Sequence, residues 1–137
     1  MIPGFELSPT AFQPEGEVEL LSATEIARMR LRLGLVVVNG CSSASAVTLP
    51  GAGLMGMTRA WLAAGARAVI VTRWAVDDQD EGELFRTFYE RFSALRGSQD
   101  RRSFAELLQQ AQLTELRAGG RRANPAHWAA YFCVERN

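Results

Sequence analysis

The sequence predicts an α/β protein built on a mostly parallel sheet, and three observations lead there. Leu35 to Val38 and Ala68 to Thr72 are unbroken apolar runs rich in β-branched residues, as in strands covered on both faces. Between and after them, apolar residues recur at helical spacing. The intervening stretches are long enough for helical crossovers, which join parallel strands.

Taken in order, residues 1–19 hold three prolines, scattered aromatics and no period, and read as an irregular N-terminal arm. Residues 20–137 carry the fold. Ser22-Ala23-Thr24-Glu25 has capping-box spacing, and Ile26, Met29, Leu31 and Leu33 follow at roughly helical intervals, so a short helix starts there and Gly34 ends it. After the first strand and a loop through Pro50-Gly51-Ala52-Gly53, Leu54, Met57, Trp61 and Leu62 define a helix that stops at Gly65. The second strand follows. Gln79 to Leu95 is a helix with Leu84, Phe85, Phe88, Tyr89 and Phe92 on one face, and Ser103 to about Arg117 is another with Phe104, Leu107, Leu108 and Ala111. Trp128 to Val134 reads as a third strand. Three strands make a narrow sheet, which predicts that it is incomplete on its N-terminal side and finished by other polypeptide.

With 137 residues and 47% hydrophobic content, the chain can build a real core as one domain or part of one. Fifteen basic and fifteen acidic residues cancel, so no electrostatic footprint points to nucleic acid or an anionic membrane, and neither is expected as a partner. Arg101-Arg102 and Arg121-Arg122 read as solvated loop pairs. No run of apolar residues is long enough to span a bilayer, and the N-terminus lacks signal-peptide regions, which predicts a cytoplasmic protein. Cys41 and Cys133 have no zinc-site spacing and read as free thiols; no metal and no cofactor are expected.

Val36-Val37-Val38-Asn39-Gly40-Cys41-Ser42-Ser43 places a cysteine just beyond a buried-type strand. In open α/β sheets ligands collect at the carboxyl ends of strands, where a nucleophile would sit. A small, buried core cysteine fits the same pattern.

Several segments, in one order from about Leu21 to Val134, resemble a known family. These are Gly53-Leu54-Met55-Gly56-Met57-Thr58-Arg59-Ala60-Trp61 with Gly65-Ala66-Arg67-Ala68-Val69-Ile70, then Trp74-Ala75-Val76-Asp77-Asp78, Phe88-Tyr89, Ala111-Gln112 and Trp128-Ala129-Ala130-Tyr131-Phe132. They are similar to the C-terminal part of a CHAT domain, the caspase-like cysteine peptidase domain often found with TPR repeats. Gly40-Cys41-Ser42-Ser43 also resembles the cysteine segment of the more distant separases. The resemblance implies a caspase-like three-layer sandwich with helices on both faces of the sheet. It implies that Cys41 is the nucleophile of a cysteine endopeptidase, its backbone amide donating to the oxyanion hole. It also implies that the loop carrying Trp74, Asp77 and Asp78 shapes the pocket for the substrate residue before the scissile bond. An acidic pocket would select arginine or lysine; helix capping by Asp77, Asp78 and Asp80 is the alternative.

The family's second catalytic residue is a histidine followed by glycine on the preceding strand, and no histidine precedes Cys41. The only histidine, His127, is expected to be structural or on the surface. Ala44 stands where the family commonly has glycine. The expected partners are therefore a protein or peptide substrate, and either a missing N-terminal half or partner chain carrying the catalytic histidine, or a TPR region. The alternative function is a non-catalytic interaction scaffold on a degenerate caspase-like fold. A phosphate site at Gly51 and Gly53 is disfavoured because no glycine-rich loop directly joins strand to helix.

Overall fold

The computed structural model describes residues 4–5, 21–38, 52–95 and 102–136. In chain order they form β1 (Gly4–Phe5), β2 (Leu21–Ser22), α1 (Ala23–Arg28), β3 (Leu35–Val38), α2 (Ala52–Ala64), β4 (Ala68–Thr72), α3 (Asp78–Ala94), α4 (Phe104–Ala118), a 3-10 turn (Gly120–Ala123), α5 (Pro125–Trp128) and β5 (Tyr131–Glu135). It is a mixed α/β architecture. β1 and β2 make a short antiparallel pair, while β3, β4 and β5 form a sheet with β4 at its centre.

Every residue of β4 is buried, which explains its continuous apolar run. β3 lies parallel to it, with Leu35 opposite Ala68 and Val38 opposite Val71. β5 is antiparallel to it, with Tyr131 opposite Thr72 and Glu135 opposite Ala68. A mostly parallel sheet is thus corrected: of the two pairings described, one is parallel. The reason lies in the connections. One helix, α2, carries the chain back from the end of β3 to the start of β4. Between β4 and β5 the chain makes two passes, α3 and α4, which pack with Phe92 near the end of α3 against Phe104 at the start of α4. The chain is returned to the end where β4 finished and must run down the sheet as β5.

Alternation along the strands sorts side chains to two faces. Ile70, Leu35, Val37, Tyr131 and Cys133 pack with Leu84, Phe88, Leu107, Leu108 and Ala111 of α3 and α4. Val69, Val71, Val36, Val38 and Phe132 pack with Trp61 and Leu62 of α2. α1 is held on α2 through Ile26, Ala60 and Ala64. Ile70, Leu84 and Phe88 have no exposed surface, and burying each side chain contributes roughly 2 kcal/mol.

Local signals set most helix ends. Ser22 and Glu25 form the capping box of α1, Ser103 and Glu106 that of α4. Gly65 ends α2 with φ at 116°, and a Cβ there would collide with the Leu31 carbonyl oxygen. α1 is shorter than its apolar spacing suggested, because Met29 turns extended and Leu31 bonds through its N–H to the Ala64 carbonyl at 2.7 Å. Trp128, expected in the last strand, belongs instead to α5. Asn124 caps that single turn by accepting the Ala126 N–H at 3.0 Å, with Pro125 at its first position. Among the described residues no helix is long and apolar enough to cross a membrane.

Candidate functional site

Parallel pairing of β3 and β4 means that both strands finish at the same end of the sheet, Val38 beside Val71. The loop leaving β4 starts there. Arg73 donates its N–H to the Ala130 carbonyl at 3.0 Å, and its guanidinium lies over the Phe132 ring, 4.7 Å from the centroid. Trp74 is 39% exposed, and its indole N–H donates to the Ala126 carbonyl at 2.8 Å, tying the loop to α5. Val76 turns into the core.

Asp77 is the N-cap of α3, its carboxylate accepting the Gln79 N–H at 2.9 Å. That is the capping alternative raised for it. Asp78 is exposed in the first turn and lines an open groove with Glu81, Gly82, Phe85 and Tyr89. Trp74, Asp77 and Asp78 therefore sit together on one segment at the carboxyl ends of β3 and β4. Cys41, Asn39, Gly40 and Ala44 lie outside the described residues, as do Gly51 and Pro50.

Beside this segment is a cluster of charges. Asp80, 5% exposed, pairs with both Arg121 and the Nδ1 of His127. Arg122 grips the buried Glu115 with two nitrogens, at 2.8 and 2.6 Å, and lies 3.4 Å from Glu83. The Glu115 hydrogen bonds push the Arg122 pKa above its ordinary value. Gln112 donates its amide to the carbonyls of Trp128, at 3.0 Å, and Tyr131, at 2.9 Å. The start of α3, the end of α4, the 3-10 turn and α5 are thereby locked to one another at the end of the sheet.

Two expectations change. Arg121 and Arg122 are not a solvated pair: each closes an ion pair with a buried carboxylate, since a buried charge is costly unless matched. Asp80 is an ion-pair partner rather than a capping group. One sequence signal pointed that way, because Asp80 falls on the stripe of Leu84 and Phe88 and so faces inward. No local signal links it to a partner 41 residues away. His127, expected to be structural or on the surface, is partly exposed and paired through its Nδ1 with Asp80. Cys133 is a free thiol within β5, partly exposed, and burial together with Glu135 pushes its pKa up to about 12. Among the described residues no group of three or more histidine, cysteine or acidic side chains is placed to hold a metal ion.

Residues 5–136 match the CHAT domain family. Among curated proteins, the chain is 30% identical over 115 residues to tetratricopeptide repeat protein 28 of Mus musculus and 29% identical over 115 residues to the Homo sapiens protein of the same name. Each match covers 84% of this chain and 4% of the relative, so the chain spans a small fraction of those proteins' length. The family match extends over almost the whole sequence, and the chain belongs to the CHAT domain family.

Proposed function

We propose that this chain is the cysteine-bearing portion of a caspase-like peptidase with a three-layer sandwich fold, and that Cys41 is its nucleophile. The observation that carries the proposal is the parallel register of β3 and β4, which brings the exit of β3 and the Trp74–Asp78 segment to one end of the sheet. Cys41 is three residues beyond Val38, within about 11 Å of the strand end even if the chain is fully extended. Family membership supports the same assignment.

In the proposed reaction a base takes the thiol proton, and the sulfur bonds to the carbonyl carbon of the substrate peptide. The C–N bond breaks, and the amine departs with that proton. Water then hydrolyses the thioester, releasing the new carboxyl group and restoring the thiol. The Cys41 amide would stabilise the oxyanion, a contribution worth on the order of a hundredfold or more in rate per donor. The base is a histidine on a further polypeptide segment, followed by the glycine that supplies the second donor. A tetratricopeptide repeat region, as in the names of the two relatives, is the proposed partner, and the cytoplasm the proposed compartment.

Substrate contacts belong to the loop after β4. Asp77 is engaged as a cap, so Asp78, at the rim of the groove, is the carboxylate proposed to meet a basic substrate residue, and the exposed Trp74 on the loop before it is proposed as a further substrate contact outside the groove's own lining. Asp78→Asn should then lower cleavage after arginine or lysine, and Asp77→Asn, which keeps capping ability, should leave that preference and the stability unchanged.

One experiment tests the assignment. The chain alone should turn over little peptide, and mixing it with a CHAT segment carrying the histidine–glycine strand should produce cleavage that Cys41→Ala abolishes. Strong cleavage by the chain alone, lost in His127→Ala, would refute the division of labour. A non-catalytic interaction scaffold is the second function, favoured by one observation: the sole histidine is held by Asp80. Complementation without any cleavage would establish it.

A further inference from the structure

At the end of the sheet away from Trp74 and Asp80, arginines gather. Arg28 closes α1, Arg30 and Arg32 follow it, Arg67 lies in the turn before β4, and Arg136 follows β5; all five are exposed. The backbone holds these stretches side by side. Leu31 N–H donates to the Ala64 carbonyl at 2.7 Å, Arg67 N–H to Leu33 at 3.1 Å, and Arg136 N–H to Arg67 at 2.9 Å.

Among the described residues, the nearby acids do not neutralise them. Glu25 faces Arg28 on α1, and the Glu135 carboxylate accepts the Phe104 N–H at 2.7 Å. Among the described residues no ion pair involves Arg30, Arg32 or Arg67, and Arg136 reaches the Leu62 carbonyl at 3.4 Å. The C-termini of α1 and α2 also lie here, but each offsets only about half a unit charge. The sequence as a whole balances fifteen basic against fifteen acidic residues, so the positive surplus of this edge is a local one among the described residues.

We infer that this arginine edge docks an acidic segment of a partner protein. Guanidinium groups match carboxylates two nitrogens to two oxygens. Leu33, 37% exposed among them, offers an apolar contact to a partner side chain. Among the described residues the exposed aromatics, Trp74 and Tyr89, belong to the loop after β4 and to α3, so none of them gives this edge a stacking platform of the kind single-stranded nucleic acid uses.

The test is fluorescence anisotropy of a labelled glutamate–leucine peptide with the full chain. Binding should weaken as salt is raised. It should fall by about tenfold or more in the Arg30→Gln/Arg32→Gln/Arg67→Gln variant, and stay unchanged in an Arg86→Gln/Arg117→Gln control and in Cys41→Ala. Circular dichroism checks the fold; if the triple variant unfolds, Arg30→Gln and Arg67→Gln singly should each weaken binding. Retained binding in the arginine variants, an equal loss in the control, or tighter binding of a single-stranded DNA of the same charge would overturn the inference.

Discussion

The Cys133 thiol shows how position alone decides the chemistry of a side chain. Burial in β5 disfavours the thiolate, and Glu135 adds repulsion, raising the pKa from 9.0 to about 12. At pH 8 its thiolate population is then about a thousandfold below that of an ordinary thiol. Mass-resolved alkylation of the native chain should therefore modify Cys41 first, and faster labelling of Cys133 would count against the nucleophile assignment. The sign for stability follows. The folded state holds the Cys133 proton more tightly, so this contribution is present below pH 9 and is lost as pH rises from there toward 12. The charge cluster behaves differently. Removing Arg122 strands the buried Glu115 carboxylate, so Arg122→Ala should cost about 3 kcal/mol in urea denaturation. Arg86→Ala, which breaks only an exposed pair with Glu90, should cost less than about 0.5 kcal/mol.

Caps are where sequence and helix agree most closely. Ser103 accepts the Glu106 N–H at 3.1 Å while the Glu106 carboxylate accepts the Ser103 N–H at 2.9 Å. Ser103→Ala should destabilise the protein by about 1 kcal/mol, measured by thermal or chemical unfolding. Gly65→Ala should cost more than that, since φ there is 116° and the Leu31 carbonyl occupies the space a Cβ needs. The Ser22 capping box and the Gly65 stop were legible because a cap is a local contract between residues two to four apart. β4 was legible because a fully buried strand needs an unbroken apolar run. The direction of β5 was not, because it depends on the helix hairpin before it and not on its own residues. Nor were the pairs of Asp80 with Arg121 and of Glu115 with Arg122, since the fold sets which charges meet. The site was legible in part: the segment carrying Trp74, Asp77 and Asp78 could be placed beyond a strand, but not which of its acids is spent on capping.

At the scale of the whole molecule, the two edges of the sheet are unequal. Along β5, the Gln112 amide caps the Tyr131 carbonyl, so part of that edge is already satisfied. Along β3, among the described residues, the partner is β4 on one side only. The bond from Ala68 N–H to the Gly34 carbonyl, at 3.1 Å, fixes the alternation of the parallel ladder. Residues 34, 36 and 38 turn their backbone groups toward β4, so those of Leu35 and Val37 face away. The side chains of β3 are apolar toward both faces of the sheet and carry none of the charges or prolines that blunt natural edges. A strand of this kind is built to sit inside a wider sheet. The chain should therefore associate through β3, either with itself, giving a mass near twice 15.1 kDa, or with a segment that supplies the next strand. Val37→Pro removes one outward N–H without touching the ladder to β4, so it should weaken association. Sedimentation equilibrium decides between the outcomes: a chain that stays monomeric at high concentration, and gains nothing from an added histidine–glycine segment, would show that β3 needs no further strand.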